Sequence, residues 1–177
     1  MPVIAMAIWK QHVDLDTVNA WSARTLMQAL DIRITELGDD YLRGTMPVDD
    51  RTRQPYGILH GGASVALAET LGSTAAMLCC DDGRAAVGLD INANHLRAVR
   101  EGIVTGTARL IHVGRSTQVW EIRIENEAGE LTCIARLTMA VVPGKFSRSA
   151  SLGSPRSSKG LQVPLQEHLN ARMNDDV

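Results

Sequence analysis

Residues 54–73 read QPYGILHGGASVALAETLGS, and this stretch decides the fold. Pro55 and Gly57 resist regular structure, so the stretch begins as a loop, and a helix is expected to start at Gly61 or Gly62. The residues that follow are small and apolar around nearly the whole helix, which predicts burial on most sides. One carboxylate, Glu69, interrupts this apolar surface, and burying its charge costs several kcal/mol unless other groups compensate.

Two interpretations of Glu69 are open. In the structural one, its side chain lies on an exposed stripe or caps a neighbouring loop. In the functional one, His60, Gly61 and Gly62 open a helix whose free N–H groups and positive dipole end hold an oxyanion, and Gln54 adds an amide donor. A general base or nucleophile, an oxyanion site and an orienting amide are the parts that acyl transfer requires.

The spacing of these groups bears on assembly. Gly61 and Glu69 are eight residues apart, which places them roughly 12 Å apart on one helix. Both must come within about 3 Å of the same reacting centre. One helix cannot achieve this, whereas two antiparallel copies across a dimer axis can. The sequence therefore predicts an active site shared between the subunits of a homodimer, and the assembly is either an obligate dimer or a dimer of dimers.

The rest of the chain predicts mainly strands. A first helix is expected over about Thr17–Leu30, with Asp14 or Asp16 as its N-cap. Alternating apolar residues predict strands near Ile32–Leu37, Tyr41–Val48, Ala85–Asn92, Gly102–Val113, Thr117–Asn126 and Glu130–Val142. The connections are too short for parallel crossovers, so the prediction is an α+β fold in which an antiparallel sheet wraps around one long central helix.

Length and composition limit the class of protein. The chain has 177 residues, 45% hydrophobic and 21% charged, with a net charge of −2, which indicates one soluble domain without a basic surface for nucleic acid. No segment is apolar for long enough to span a membrane. The cysteines are Cys79, Cys80 and Cys133, and they follow no disulfide or metal-ligand spacing, so a cytoplasmic protein without a metal is expected.

Composition also predicts the domain limits. Residues 1–7 are expected to be an N-terminal extension and residues 8–143 the folded domain. Residues 144–177 are rich in serine and arginine, without apolar periodicity, and are expected to form a disordered tail.

Four pieces of the sequence, taken in order, resemble the hotdog-fold acyl-CoA thioesterases. The pieces are IWK, LGDDYLRGTMPVDDRTRQPYGILHGGASVALAETLGS, VGLDINANHLR and HVGRSTQVW, and the likeness spans about Ile8 to Val142. The branch it resembles includes 4-hydroxybenzoyl-CoA, phenylacetyl-type and 1,4-dihydroxy-2-naphthoyl-CoA thioesterases. The resemblance implies the hotdog fold, in agreement with the pattern of strands and helix.

The resemblance also implies a reaction. The chain is expected to hydrolyse an aromatic acyl-CoA thioester, close to 1,4-dihydroxy-2-naphthoyl-CoA of menaquinone synthesis, to the free acid and coenzyme A without a cofactor. The Gly61 N–H would polarise the carbonyl, while Gln54 and His60 orient the thioester. Glu69 would attack the carbonyl or activate water, and these two roles stay open. Ser73, one turn further along the helix, would hold the carboxylate or the water.

Further residues are expected to bind the substrate. The resemblance implies that the thioester and pantetheine channel is lined by Gly88, His95, Leu96, Arg97 and Ala98. Backbone amides, a hydroxyl and a guanidinium in one turn between strands suit the phosphates of coenzyme A. That turn comprises His112, Val113, Gly114, Arg115, Ser116 and Thr117.

Alternative functions were weighed against this one. A proofreading thioesterase that acts on an aryl carrier protein would use the same pantetheine arm. A hotdog module that binds acyl-CoA without cleaving it would have no use for Glu69. The sequence around Ser64 approaches the nucleophile elbow of serine hydrolases, but the second glycine is missing and antiparallel strands follow.

Overall fold

The computed structural model describes residues 7–144. Its elements are α1 (Leu15–Ala20), α2 (Leu26–Ala29), β1 (Arg33–Leu37), β2 (Tyr41–Pro47), α3 (Gly61–Leu78), β3 (Arg84–His95), β4 (Ile103–Val113), β5 (Thr117–Glu125) and β6 (Leu131–Pro143). The strands form one six-stranded sheet in the order β1-β2-β4-β5-β6-β3, and every neighbouring pair is antiparallel. Helix α3 packs against five of the strands, β2 to β6. The predicted antiparallel sheet around one long helix is confirmed.

The close seating of α3 on the sheet depends on paired glycines. Gly44 in β2 lies opposite Gly106 in β4. A Cβ atom at Gly44 would lie 2.7 Å from one methyl of Leu71, and a Cβ at Gly106 would lie 2.5 Å from the other. Leu71 is fully buried. Its side chain therefore fills the space that two absent side chains leave, which fixes how α3 lies on the sheet.

The N-terminal segment covers one end of the core. The rings of Trp9 and Trp120 stack with centroids 6.3 Å apart. The backbone N–H groups of Lys10 and Gln11 donate to the carbonyl of Leu78, the last residue of α3. These contacts explain why the short IWK motif belongs to the folded domain.

The predicted strands are confirmed to within a few residues, but the single helix over Thr17–Leu30 is wrong. The structure has two short helices there, separated by a turn in which Arg24 has a φ of 60°. The hydroxyls of Ser22 and Thr25 donate to backbone carbonyls at 2.6 Å, and such bonds compete with a continuous helix. The predicted N-cap at Asp14 is confirmed, since its carboxylate accepts the Thr17 N–H at 2.7 Å.

Two surfaces are left uncovered by the other described residues, 7–144. The sheet leaves one stripe of α3 half-buried or exposed, so the helix is less enclosed than its composition predicts; the stripe comprises Gly62, Val65, Ala66, Glu69, Thr70, Ser73, Thr74 and Met77. Strand β3 is an edge of the sheet and carries exposed apolar side chains, with Leu89 63% exposed. No helix within residues 7–144 is long and apolar enough to cross a membrane.

The predicted extension and tail lie almost entirely outside the described residues.

Candidate active site

The N-terminus of α3 has one free amide. The imidazole Nδ1 of His60 accepts the Gly62 N–H at 2.8 Å. The N–H groups of Ala63 and Ser64 both donate to the His60 carbonyl, at 3.0 and 3.2 Å. Gly61 is the first helical residue, so its N–H has no acceptor within the helix, and no other described residue accepts it. The arrangement aims a single donor, with the helix dipole behind it, at any carbonyl that enters.

A cleft of about 290 Å³ opens at this amide. It is lined by Gln54, Ile58, Leu59, Gly61, Ser64, His95, Leu96, Arg97, Ala98 and Thr132. The Gln54 side-chain amide has no partner among residues 7–144, so both its donors and its acceptor are available to a ligand.

His95 stands directly over Gly61. A Cβ atom at Gly61 would lie 2.8 Å from the His95 Nε2. The glycine therefore lets an imidazole approach the free amide closely. The backbone that carries His95 is held by β6, because the N–H groups of Leu96 and Arg97 donate to the Thr132 carbonyl at 2.8 and 3.3 Å. Arg97 pairs with Glu130 at 3.7 Å on the cleft rim.

Glu69 lies outside this cleft, in the middle of the open stripe of α3. Its half-buried carboxylate has no hydrogen bond or ion pair with any described residue. Gly88 in β3 lies across from it, and a Cβ atom at Gly88 would come within 2.8 Å of Oε1. The ladder between β3 and β6 shifts its register between Gly88 and Asp90, a bulge of the kind often found beside active sites.

Ser73 lies one turn beyond Glu69 on the same stripe. Its hydroxyl points towards Met139, with 3.8 Å between Oγ and the sulfur. In the single chain it is therefore engaged with the sheet and not with the carboxylate. The thioether is a weak acceptor, so a water or a ligand oxygen would compete for this hydroxyl readily.

The turn expected to bind phosphates lies elsewhere, near the C-terminal end of α3. Val113, Gly114 and Arg115 line a second cleft of about 490 Å³, together with Lys10, Cys79, Cys80 and residues 81 and 82. Arg84 holds the turn, because its guanidinium donates to the carbonyls of Arg115 and Val141 at 3.0 and 2.8 Å. The Arg115 guanidinium has no partner among residues 7–144.

Within one chain, the candidate residues therefore fall into three places. Gln54, Gly61 and the stretch from His95 to Ala98 meet at the first cleft. Glu69 and Ser73 lie on the open stripe with Gly88 of β3 across from Glu69, and the turn from His112 to Thr117 lies by the second cleft. His60 caps the helix and does not line the first cleft.

Sequence reasoning missed four residues of the first cleft: Ile58, Leu59, Ser64 and Thr132. Ser64 could have been found from its spacing, because it lies three residues after Gly61 and therefore on the same helix face. Thr132 could not, because only the fold brings β6 beside the cleft.

Comparison with known proteins agrees with this architecture. The Thioesterase superfamily matches residues 56–133. The 1,4-dihydroxy-2-naphthoyl-CoA hydrolase of Escherichia coli is 50% identical over 135 residues, which cover 76% of this chain and 99% of the relative. The proofreading thioesterase EntH of Cronobacter turicensis is 53% identical over 135 residues, covering 76% and 98%. The crystal structure of a thioesterase from Haemophilus influenzae superposes with a TM-score of 0.76 at 50% identity, covering 77% of this chain and 95% of that one.

The chain belongs to the Thioesterase superfamily and has the hotdog fold. Its activity is the hydrolysis of acyl-CoA thioesters.

Proposed function

We propose that the chain hydrolyses aromatic acyl-CoA thioesters in a site that two subunits share, with 1,4-dihydroxy-2-naphthoyl-CoA or a close analogue as substrate. The proposal rests on two groups of one helix that no described residue binds. They are the N–H of Gly61 and the carboxylate of Glu69. The acyl group is inferred from the relative named 1,4-dihydroxy-2-naphthoyl-CoA hydrolase, which is 50% identical over nearly its whole length.

The separation of the parts supports a shared site. The free amide and the carboxylate are roughly 12 Å apart along α3, too far to act on one carbonyl. The open stripe of α3 and the free edge of β3 adjoin each other at Glu69 and Gly88. Antiparallel packing of two stripes would bring each Gly61 to a partner's carboxylate and would bury the exposed Leu89 edge.

The chemistry follows from these parts. The Gly61 N–H and the helix dipole stabilise the oxyanion that forms when the thioester carbonyl is attacked. Gln54 holds the thioester through its unpaired amide. Glu69 of the second subunit either attacks the carbonyl, forming an anhydride that water opens, or takes a proton from an attacking water. In the first route the thiolate leaves and takes a proton from solvent before water opens the anhydride; in the second it takes the proton that Glu69 removed from water. Both routes release the free acid and the thiol.

The test of the reaction is thiol release from a panel of coenzyme A thioesters with aromatic and straight-chain acyl groups. We expect aromatic thioesters to be cleaved fastest. Glu69→Gln, which is nearly isosteric, should lower kcat by several orders of magnitude while KM changes little, because the substrate still binds. An unchanged rate in this variant would remove Glu69 from the mechanism.

The test of sharing is subunit complementation. Gln54→Ala and Glu69→Gln would each disable every site of their own homodimer. In a mixed dimer, a shared arrangement rebuilds one site with an intact cleft from one chain and an intact carboxylate from the other. Mixing equal amounts after reversible dissociation should restore roughly a quarter of wild-type activity. No recovery, with mixed dimers demonstrated by mass, would show that each site lies within one chain.

A second substrate class has its own support. The relative named proofreading thioesterase EntH is 53% identical, and a carrier protein presents the same pantetheine arm as coenzyme A. Parallel assays with benzoyl-CoA and a benzoyl-loaded aryl carrier protein separate the two, since a carrier substrate would show the higher kcat/KM.

Three free thiols in the described chain favour a reducing, cytoplasmic location. The limits proposed for the domain remain residues 8–143.

A further inference from the structure

Four polar side chains are buried in the described part of the chain, and three of them are paired. Gln118 donates to the Ala76 carbonyl, Thr52 to the Pro47 carbonyl and Thr132 to the Ile124 carbonyl. Ser64 is the fourth, at 4% exposure, and its hydroxyl has no partner among residues 7–144. In a residue this enclosed, a hydroxyl that meets no described protein group is available to a ligand.

The Ser64 hydroxyl faces the first cleft. Ser64 lines that cleft, and no nitrogen or oxygen of a described side chain is both fully enclosed and unpaired. The small exposed part of Ser64 therefore includes its oxygen, at the cleft wall. The usual local acceptor for a helical serine, the carbonyl four residues earlier, is that of His60, which already accepts two N–H groups.

Neither neighbouring imidazole activates this hydroxyl. It has no hydrogen bond to His60 or His95, so neither ring is placed to take its proton. Its position suits binding. Ser64 is one helical turn from Gly61 on the same face, at about 5 to 6 Å, and the neighbouring walls contributed by Ile58, Leu59 and Ala98 are apolar.

We infer that Ser64 is a positioning residue whose hydroxyl binds the first amide of the substrate's thiol arm. This inference rests on the proposed function, in which the thioester carbonyl lies at the Gly61 N–H. In a pantetheine thioester, two methylenes separate the sulfur from the first amide, which places that amide roughly 5 Å from the carbonyl oxygen. The spacing matches one helical turn. The bond fixes the arm, and with it the angle at which the carbonyl meets Gly61.

The experiment compares two thioesters of benzoic acid. One carries N-acetylcysteamine, which has the amide, and the other carries butanethiol, which lacks it. In Ser64→Ala we expect kcat/KM for the N-acetylcysteamine thioester to fall about tenfold, whereas the butyl thioester should change less than twofold. Thr132→Val is the matched control, because Thr132 lines the same cleft with a hydroxyl that is already paired; it should affect both thioesters alike.

Two results would overturn the inference. An equal fall for both thioesters in Ser64→Ala would mean that the residue acts through packing or through the acyl group. No fall for either would mean that the hydroxyl does not touch the arm. Circular dichroism and thermal unfolding establish that the variant is folded. Cleavage of either thioester by the wild-type protein supports the proposed reaction independently of Ser64. The proposed reaction and the proposed role of Ser64 can therefore fail separately.

Discussion

Gly88→Ala tests the placement of Glu69 without touching the carboxylate itself. A Cβ atom at residue 88 would lie 2.8 Å from the Glu69 Oε1, whereas ordinary contact begins at 3.4 Å. To restore ordinary contact, from 2.8 to 3.4 Å, the carboxylate oxygen moves by about 0.6 Å. Misplacement of a reacting group by about 1 Å can cost 100-fold in rate. We therefore expect kcat to fall by about tenfold or more.

Stability should respond very differently in this variant. The clashing atom is the end of a flexible side chain, and alanine suits a strand better than glycine. We expect the free energy of unfolding to change by less than about 1 kcal/mol. Thiol release measures the rate, urea unfolding the stability, and light scattering the assembly. A variant that keeps full kcat with a normal fold and assembly would refute the reasoning that the Gly88 backbone sets the carboxylate position.

The remaining predictions concern stability, pH and affinity. Gly44→Ala places a Cβ atom 2.6 Å from the Arg33 carbonyl oxygen, a backbone atom that cannot move aside, so urea unfolding should show a loss of about 1 to 3 kcal/mol. Burial raises the pKa of the Cys79 thiol from 9.0 to about 12. The unfolded chain therefore ionises first, and stability that is complete below pH 9 declines above it. Up to about 1 kcal/mol of the wild-type loss between pH 8 and pH 10 should be absent in Cys79→Ala; identical pH profiles would contradict this. Arg115→Ala should weaken product inhibition by coenzyme A about tenfold and leave inhibition by pantetheine unchanged, since only the former carries the phosphates; equal effects on both would exclude a phosphate contact.

Much of the fold could be predicted because local signals and tertiary demands agree. Alternation in β2, β5 and β6 has a period of two and bounds each strand closely. Helix α3 begins at the predicted glycine pair. The single helix predicted before β1 was wrong because the hydroxyls of Ser22 and Thr25 bind backbone carbonyls. Two hydrogen bonds between Asn19 and the backbone of Ile34 then hold the first short helix against β1, a tertiary contact that composition does not encode.

Some residues of the candidate site likewise have a local signal in the sequence, and others are recognised only from the fold. Gln54, Gly61 and Glu69 could be proposed from one stretch because their chemistry and spacing are local. The approach of His95 to Gly61 needed the fold, since 34 residues separate them and the end of β3 must pack beside the start of α3. Ser64 was present in the same stretch, yet its importance depends on the absence of a partner, which no sequence pattern reports.

The seating of Leu71 between Gly44 and Gly106 constrains how this chain can diverge. A methyl gained at either glycine meets a leucine methyl at 2.5 to 2.7 Å, so either change alone is penalised. Shortening Leu71 first opens a cavity, at a cost of about 2 to 5 kcal/mol. A shorter side chain at residue 71 could make room for a methyl at Gly106 but not at Gly44, where the methyl would also meet the Arg33 carbonyl oxygen at 2.6 Å. Each single substitution is therefore destabilising, and Gly44 stays fixed whatever happens at Leu71. Glu69 lies two residues before Leu71 on the same helix. The packing that fixes Leu71 therefore also fixes the direction in which the Glu69 carboxylate points.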